Sequence, residues 1–249
     1  MRIRRDIPAH HAATHQAAEQ RLPRVFLRHQ LYVHNVADAR TVNVTMDRLC
    51  NRGHLLCFPI GDAGFDDMAM MRSTDYAQLL ANASAQAAVS MPASSGDNVF
   101  CRLEHAVRDG AFTSVQIAAA DLHRQLGASD DDAAPASGCS VMLDDQLTKL
   151  VAAGFLVTLG PTTYALAAPG LGRLALQLTR GRRELLQWLR RRRYKEAPLR
   201  QAEEKRMRFA TLLDNRYIVC DLIGSGMVER FHTTSGWFLR LSSKGERAL

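Results

Sequence analysis

Three stretches of this chain repeat one pattern, and that pattern limits the folds open to it. Residues 47–58, 148–159 and 220–231 align so that Leu49, Leu150 and Leu222 coincide. Cys50/Val151/Ile223, Gly53/Gly154/Gly226, Leu55/Leu156/Val228 and Phe58/Leu159/Phe231 then follow in step. Each copy starts as an amphipathic helix, carried in the first by Val42, Met46, Leu49 and Cys50. It then meets a glycine suited to the left-handed residue that closes a helix, and an apolar strand-like run follows at once. A turn signal comes next (Gly61 to Gly64, Gly160-Pro161, Ser235-Gly236), with a candidate return strand at residues 67–72, 164–168 and 237–241.

Helix, glycine, strand, turn, strand is the closing half of a winged helix. One such junction occurs in many folds, but three at regular intervals predict three tandem winged-helix domains, mainly α with small β wings (α+β). The expected layout is a flexible N-terminus over residues 1–21, then winged helices over 22–81, 97–169 and 170–249. The spacing predicts helices at 26–35 and 38–51 in the first, where an opening helix is poorly specified and completeness stays open. It predicts a helix at 74–88 and a linker at 91–96. In the second domain, helices are expected at 98–109 and 115–126, with a loop at 129–138. In the third, Leu171, Leu174, Leu178, Leu185, Trp188 and Leu189 mark a long helix, followed by helices at 199–207 and 213–225.

That long helix opens a segment of unusual charge. Residues 171–208 hold thirteen Lys/Arg against four Glu, a net +9, whereas the whole chain carries +7. Charge concentrated in this way points to a polyanionic partner, against the blander alternative of a solvated helix face. Guanidinium groups match phosphate geometry and stay charged at any cellular pH. The candidate DNA contacts are Arg173, Arg180, Arg182, Arg183, Arg190, Arg191, Arg193, Lys195, Arg200, Arg206 and Arg208. Arg216, with Asn215 at the start of the third domain's last helix, joins them, as do Arg230 and Arg240 on its wing, beside His232. Arg192 falls on the apolar stripe and is expected to lay its stem along the core or pair with an acid. Contacts of this kind position a protein on duplex DNA without choosing a sequence. The first two domains have no such cluster, so they are expected to hold proteins.

Several classes drop out. No apolar run approaches the length of a membrane span, and the start lacks a secretory apolar core. Five cysteines without a CxxC read as small core thiols in a reducing compartment. Cys50, His54 and Cys57, with His29 or His34, do not have a recognised zinc spacing, so no metal or other cofactor is expected. A protein kinase needs a glycine-rich phosphate loop, His-Arg-Asp and Asp-Phe-Gly. Only Gly224-Ser-Gly226 resembles the first, and the other two are missing from the sequence.

The third copy resembles a known family. Residues 168–173, 193–196, 221–224, 233–236 and 239–241 are similar to the serine/threonine-protein kinase 19 family. Leu27-Arg-His-Gln30 in the first copy agrees more loosely, and Cys220 stands where that family shows His. The resemblance implies a nuclear, non-catalytic protein of three winged helices that binds double-stranded DNA despite the historical name. It also implies a part in transcription-coupled nucleotide excision repair, bridging stalled RNA polymerase and the repair-helicase complex. Whether the chain acts as a monomer or a homodimer is left open.

Overall fold

A computed structural model describes residues 22–34, 39–60, 68–90, 99–112, 116–127, 139–210 and 212–249. The fold is mixed α and β, as expected. The first run of elements is β1 (Phe26–Leu27), α1 (Gln30–His34), α2 (Ala39–Asn51), β2 (Leu55–Pro59) and β3 (Met68–Arg72), followed by α3 (Ser73–Ser90). The second is α4 (Val99–Arg108), β4 (Gln116–Ala118), α5 (Ala119–Gly127), α6 (Cys139–Ala152), β5 (Leu156–Gly160) and β6 (Thr163–Leu166). The third is α7 (Leu171–Arg190), β7 (Glu196–Pro198), α8 (Leu199–Glu203), α9 (Asn215–Gly224), β8 (Val228–Thr233) and β9 (Gly236–Leu241), closed by α10 (Ser243–Arg247). Among the described residues these strands form three three-stranded sheets, in the orders β1-β3-β2, β4-β6-β5 and β7-β9-β8.

The repeated glycine does what its position predicts. Gly53, Gly154 and Gly226 take φ of 69°, 79° and 72°. In each copy the glycine N–H bonds back three residues, to Cys50, Val151 or Ile223, and the next N–H bonds back five, to Leu49, Leu150 or Leu222. These paired bonds satisfy carbonyls left open at a helix end and aim the chain into the strand. A side chain at that φ would be strained, which accounts for glycine in all three copies.

Three short strands were not visible in the periodicity. The expected helix at 115–126 opens with β4, and that at 26–35 opens with β1. At two and three residues they are too short to display alternation. The helix expected at 199–207 stops at Glu203. There the Asn215 amide donates to the carbonyls of Ala202, Glu203 and Lys205, satisfying groups that a continuing helix would have paired. The Gly61–Gly64 turn, the 91–96 linker, the 129–138 loop and residues 1–21 lie outside the described residues.

By internal contacts the chain divides chiefly into two compact units: Leu27–Ala39 with Gly170–Leu249, and Arg40–Pro169. The core of the latter runs through aromatic rings that meet mostly edge to face. Phe58 and Tyr76 lie 5.6 Å apart, Tyr76 and Phe155 5.8 Å, and Phe100 and Phe155 5.9 Å. Burial pushes the Tyr76 hydroxyl well above its ordinary pKa, and it donates to the Phe155 carbonyl at 3.3 Å. The other unit centres on Leu185, Leu186, Leu189, Ala202, Ile218, Leu222, Val228 and Leu239.

Candidate nucleic-acid interface

The basic segment is built on α7, a 20-residue helix whose apolar stripe is Leu171, Leu174, Leu178, Leu185, Leu186 and Leu189. Because that stripe is buried, the opposite faces carry Arg173, Arg180, Arg183 and Arg190 into solvent. Arg191, Arg192 and Arg193 are exposed in the turn that follows. The Arg192 guanidinium lies over the Trp188 ring at 4.6 Å, and Arg193 over Tyr194 at 5.2 Å. Arg192 is therefore a surface residue stacked on an aromatic rather than a member of the core stripe.

Arg182 is the member of that stripe that sequence reasoning placed on the surface, and this corrects its assignment as a phosphate contact. It stands four residues after Leu178 and three before Leu185, so its stem points inward. Its Nε and Nη2 reach the two carboxylate oxygens of Asp221 at 2.6 and 2.7 Å. Asp221 is 0% exposed, and its Oδ1 also meets His29 Nε2 at 2.6 Å. Burial alone would raise the Asp221 pKa, but the hydrogen bonds from Arg182 and His29 hold it below the ordinary carboxylate range.

Other cations of the segment are also engaged. Lys195 pairs with Glu246, Arg200 with Glu204 at 2.7 Å, and Lys205 with Glu184 at 2.7 Å. Glu184 further accepts from the backbone N–H groups of Arg208 and Phe209. Desolvation works against its charge, yet Lys205 and those two N–H groups keep its pKa low. Glu196 pairs with Arg240 at 2.7 Å, and Glu203 with Arg216 at 3.7 Å. All four acids of residues 171–208 are thus occupied. With Arg182, Lys195, Arg200 and Lys205 set aside, nine of the thirteen cations face no carboxylate among the described residues. They are Arg173, Arg180, Arg183, Arg190 through Arg193, Arg206 and Arg208, all exposed.

α9, in the position from which a winged helix usually reads a groove, is not available along most of its length. Arg216 is its one exposed residue. Gln30 donates to the Tyr217 carbonyl at 3.1 Å, His29 holds Asp221, and Gly224 sits against the His29 backbone. Asn215, which starts this helix beside Arg216, spends its amide on the end of α8. On the wing, Arg230 lies over the Trp237 ring at 4.7 Å and Arg240 over Phe231 at 4.6 Å. No sequence signal had singled out Trp237, Tyr194 or Phe209, although they are 47%, 70% and 63% exposed.

The rejected chemistries have structural counterparts. Gly226 is a helix cap whose N–H bonds the Ile223 carbonyl, so the Gly224-Ser-Gly226 sequence has a structural cause. Cys50 and Cys57 are half-buried with their sulfurs 3.2 Å apart. Among the described residues no group of three His, Cys, Asp or Glu is placed to hold a metal ion, and no helix is long and apolar enough to cross a membrane.

The chain is similar to known proteins. The profile of a family described as "Inactive serine-threonine protein kinase 19" matches residues 2–241. Winged helix repair factor 1 of Xenopus laevis is 36% identical over 99 residues, 40% of this chain and 38% of the frog protein. The Homo sapiens protein of the same name is 37% identical over 98 residues, 39% of each chain. A Schizosaccharomyces pombe protein named Serine/threonine-protein kinase mug51 is 31% identical over 102 residues, 39% of this chain and 33% of its own length. The matched segments span well under half of these relatives.

Proposed function

Because the chain belongs to the family described as inactive serine-threonine protein kinase 19, we propose that it is a non-catalytic DNA-binding protein. In this reading three tandem winged helices, at residues 22–81, 97–169 and 170–249, grip double-stranded DNA with little sequence preference. The observation that carries it is the set of exposed arginines along α7 and its following turn, which face no carboxylate among the described residues. Arg173, Arg180, Arg183 and Arg190 to Arg193 present a run of guanidiniums suited to successive phosphates. The covered state of α9 supports the lack of sequence reading, since direct readout needs side chains free to enter a groove.

The names of the frog and human relatives supply the setting. We read this chain as a nuclear adaptor in transcription-coupled nucleotide excision repair. The third domain holds DNA, and the first two engage RNA polymerase and repair-helicase complexes. Loss of the gene should slow recovery of transcription after transcription-blocking DNA damage; unchanged recovery would remove the repair assignment.

One observation favours a second reading, a protein scaffold without DNA contact. The helix that commonly enters the groove is covered here by α1. Titrating intact protein into duplex DNA at two salt concentrations separates the two. Binding that weakens steeply with salt supports the phosphate grip, and no binding at low salt supports the scaffold.

A further inference from the structure

The hairpin β8–β9 carries an aromatic site that a phosphate grip does not use. In its register Val228 faces Leu241, Arg230 faces Leu239 and His232 faces Trp237. Directly opposed residues share one side of the sheet. That side is core at its base, where Val228, Leu239 and Leu241 are buried, and turns outward toward the tip. There Arg230, His232 and Trp237 are all exposed.

Trp237 directly follows Gly236, whose φ of 111° closes the turn, so the indole stands at the far end of the hairpin. Trp237 is 47% exposed. The Arg230 guanidinium lies 4.7 Å from its centroid, and the His232 ring meets it edge-on at 4.9 Å. The indole is therefore held in one orientation without being covered. Within residues 228–241 it is the one large apolar side chain left exposed, so the hairpin itself presents a single indole and not a broad apolar patch. A flat ligand with a π face and polar edges suits an isolated indole flanked by a cation.

We propose that Trp237, with Arg230 and His232, forms a stacking site for an unpaired nucleobase at a junction between single- and double-stranded DNA. This rests on the duplex-binding reading above and adds a structural preference to it. Bases inside a duplex are already stacked on their neighbours, so the site selects DNA that offers a free base. Base–aromatic stacking tolerates any base, which agrees with weak sequence preference.

The test uses the full chain and two probes, a blunt duplex and the same duplex with a short overhang bearing 2-aminopurine beside the junction. Intact protein is expected to bind the overhang probe about tenfold more tightly than the blunt one and to change 2-aminopurine fluorescence. Trp237→Ala should abolish the preference and the fluorescence change while leaving blunt-duplex affinity within about twofold, as expected when the grip rests on phosphate contacts elsewhere. Trp237→Phe, which keeps a ring, should retain most of both and controls for folding. No preference in the intact protein, or a preference that survives Trp237→Ala, overturns the stacking site while blunt binding keeps the phosphate grip intact. Failure to bind either probe overturns both.

Discussion

Changing Asp221 to Asn would keep the shape of a core residue and remove a negative charge that is wholly enclosed. Asp221 is 0% exposed and receives Arg182 on both oxygens at 2.6 and 2.7 Å, with His29 2.6 Å from one of them. The Arg182 side chain is only 10% exposed, so after the change its charge is stranded with little access to water. Removing one partner of a buried pair costs about 3–5 kcal/mol. That is a large part of the roughly 5–15 kcal/mol that holds a domain together. With a urea dependence of about 1–3 kcal/mol per molar, the unfolding midpoint should fall by on the order of 1–5 M. Replacing both partners, Asp221→Leu with Arg182→Met, should recover much of the loss because the enclosed Arg182 charge goes with its partner, leaving only the His29 contact unmade. Urea unfolding followed by circular dichroism measures all three proteins. A loss below about 1 kcal/mol for Asp221→Asn, or a double variant as weak as the single one, would refute the claim that this pair is a closed, dry contact.

Other consequences follow from the same geometry. Asp221 and Glu184 both have folded pKa values lowered below the ordinary range, so their contribution is present above the unfolded value of about 4 and is lost as pH falls through the folded values. Stability should therefore drop in acid, and Asp221→Asn should flatten that drop; identical acid profiles would contradict this. Gly224→Ala would drive a Cβ into the His29 backbone, whose carbonyl carbon is 2.6 Å away, and should loosen the contact of residues 27–34 with α9. Hydrogen exchange should quicken at those amides, and unchanged exchange would show that the contact does not persist. Purified protein should not transfer labelled phosphate, and transfer abolished by a single Asp substitution would reverse the non-catalytic reading.

The closing half of each repeat was legible because its signals are local. A left-handed glycine, an amphipathic stripe before it and an apolar run after it all fall within about a dozen residues, and Gly53, Gly154 and Gly226 confirm each other. The two- and three-residue strands β1, β4 and β7 were hidden because such lengths carry no periodicity. At the candidate site, the exposed faces of α7 followed directly from its leucine stripe. Arg182 did not, because its partner Asp221 is 39 residues away and contact between them is a property of packing. The stripe itself held a hint, since Arg182 occupies a position spaced like its leucines. The role of Asn215 in ending α8 was hidden for the same kind of reason: it depends on carbonyls that tertiary structure brings to it.

The salt dependence of duplex binding by the Arg190-to-Arg193 cluster tests the phosphate grip most directly. If about five phosphates are neutralised, log affinity should fall against log salt with a slope near −4.5. Changing Arg190, Arg191, Arg192 and Arg193 together to Ala removes exposed groups that make no ion pair among the described residues, so the fold should stand. Without three or four of the five contacts, the slope should flatten to roughly −1 to −2 and low-salt affinity should collapse. An unchanged slope, or intact protein whose binding ignores salt, would contradict a DNA grip on this surface.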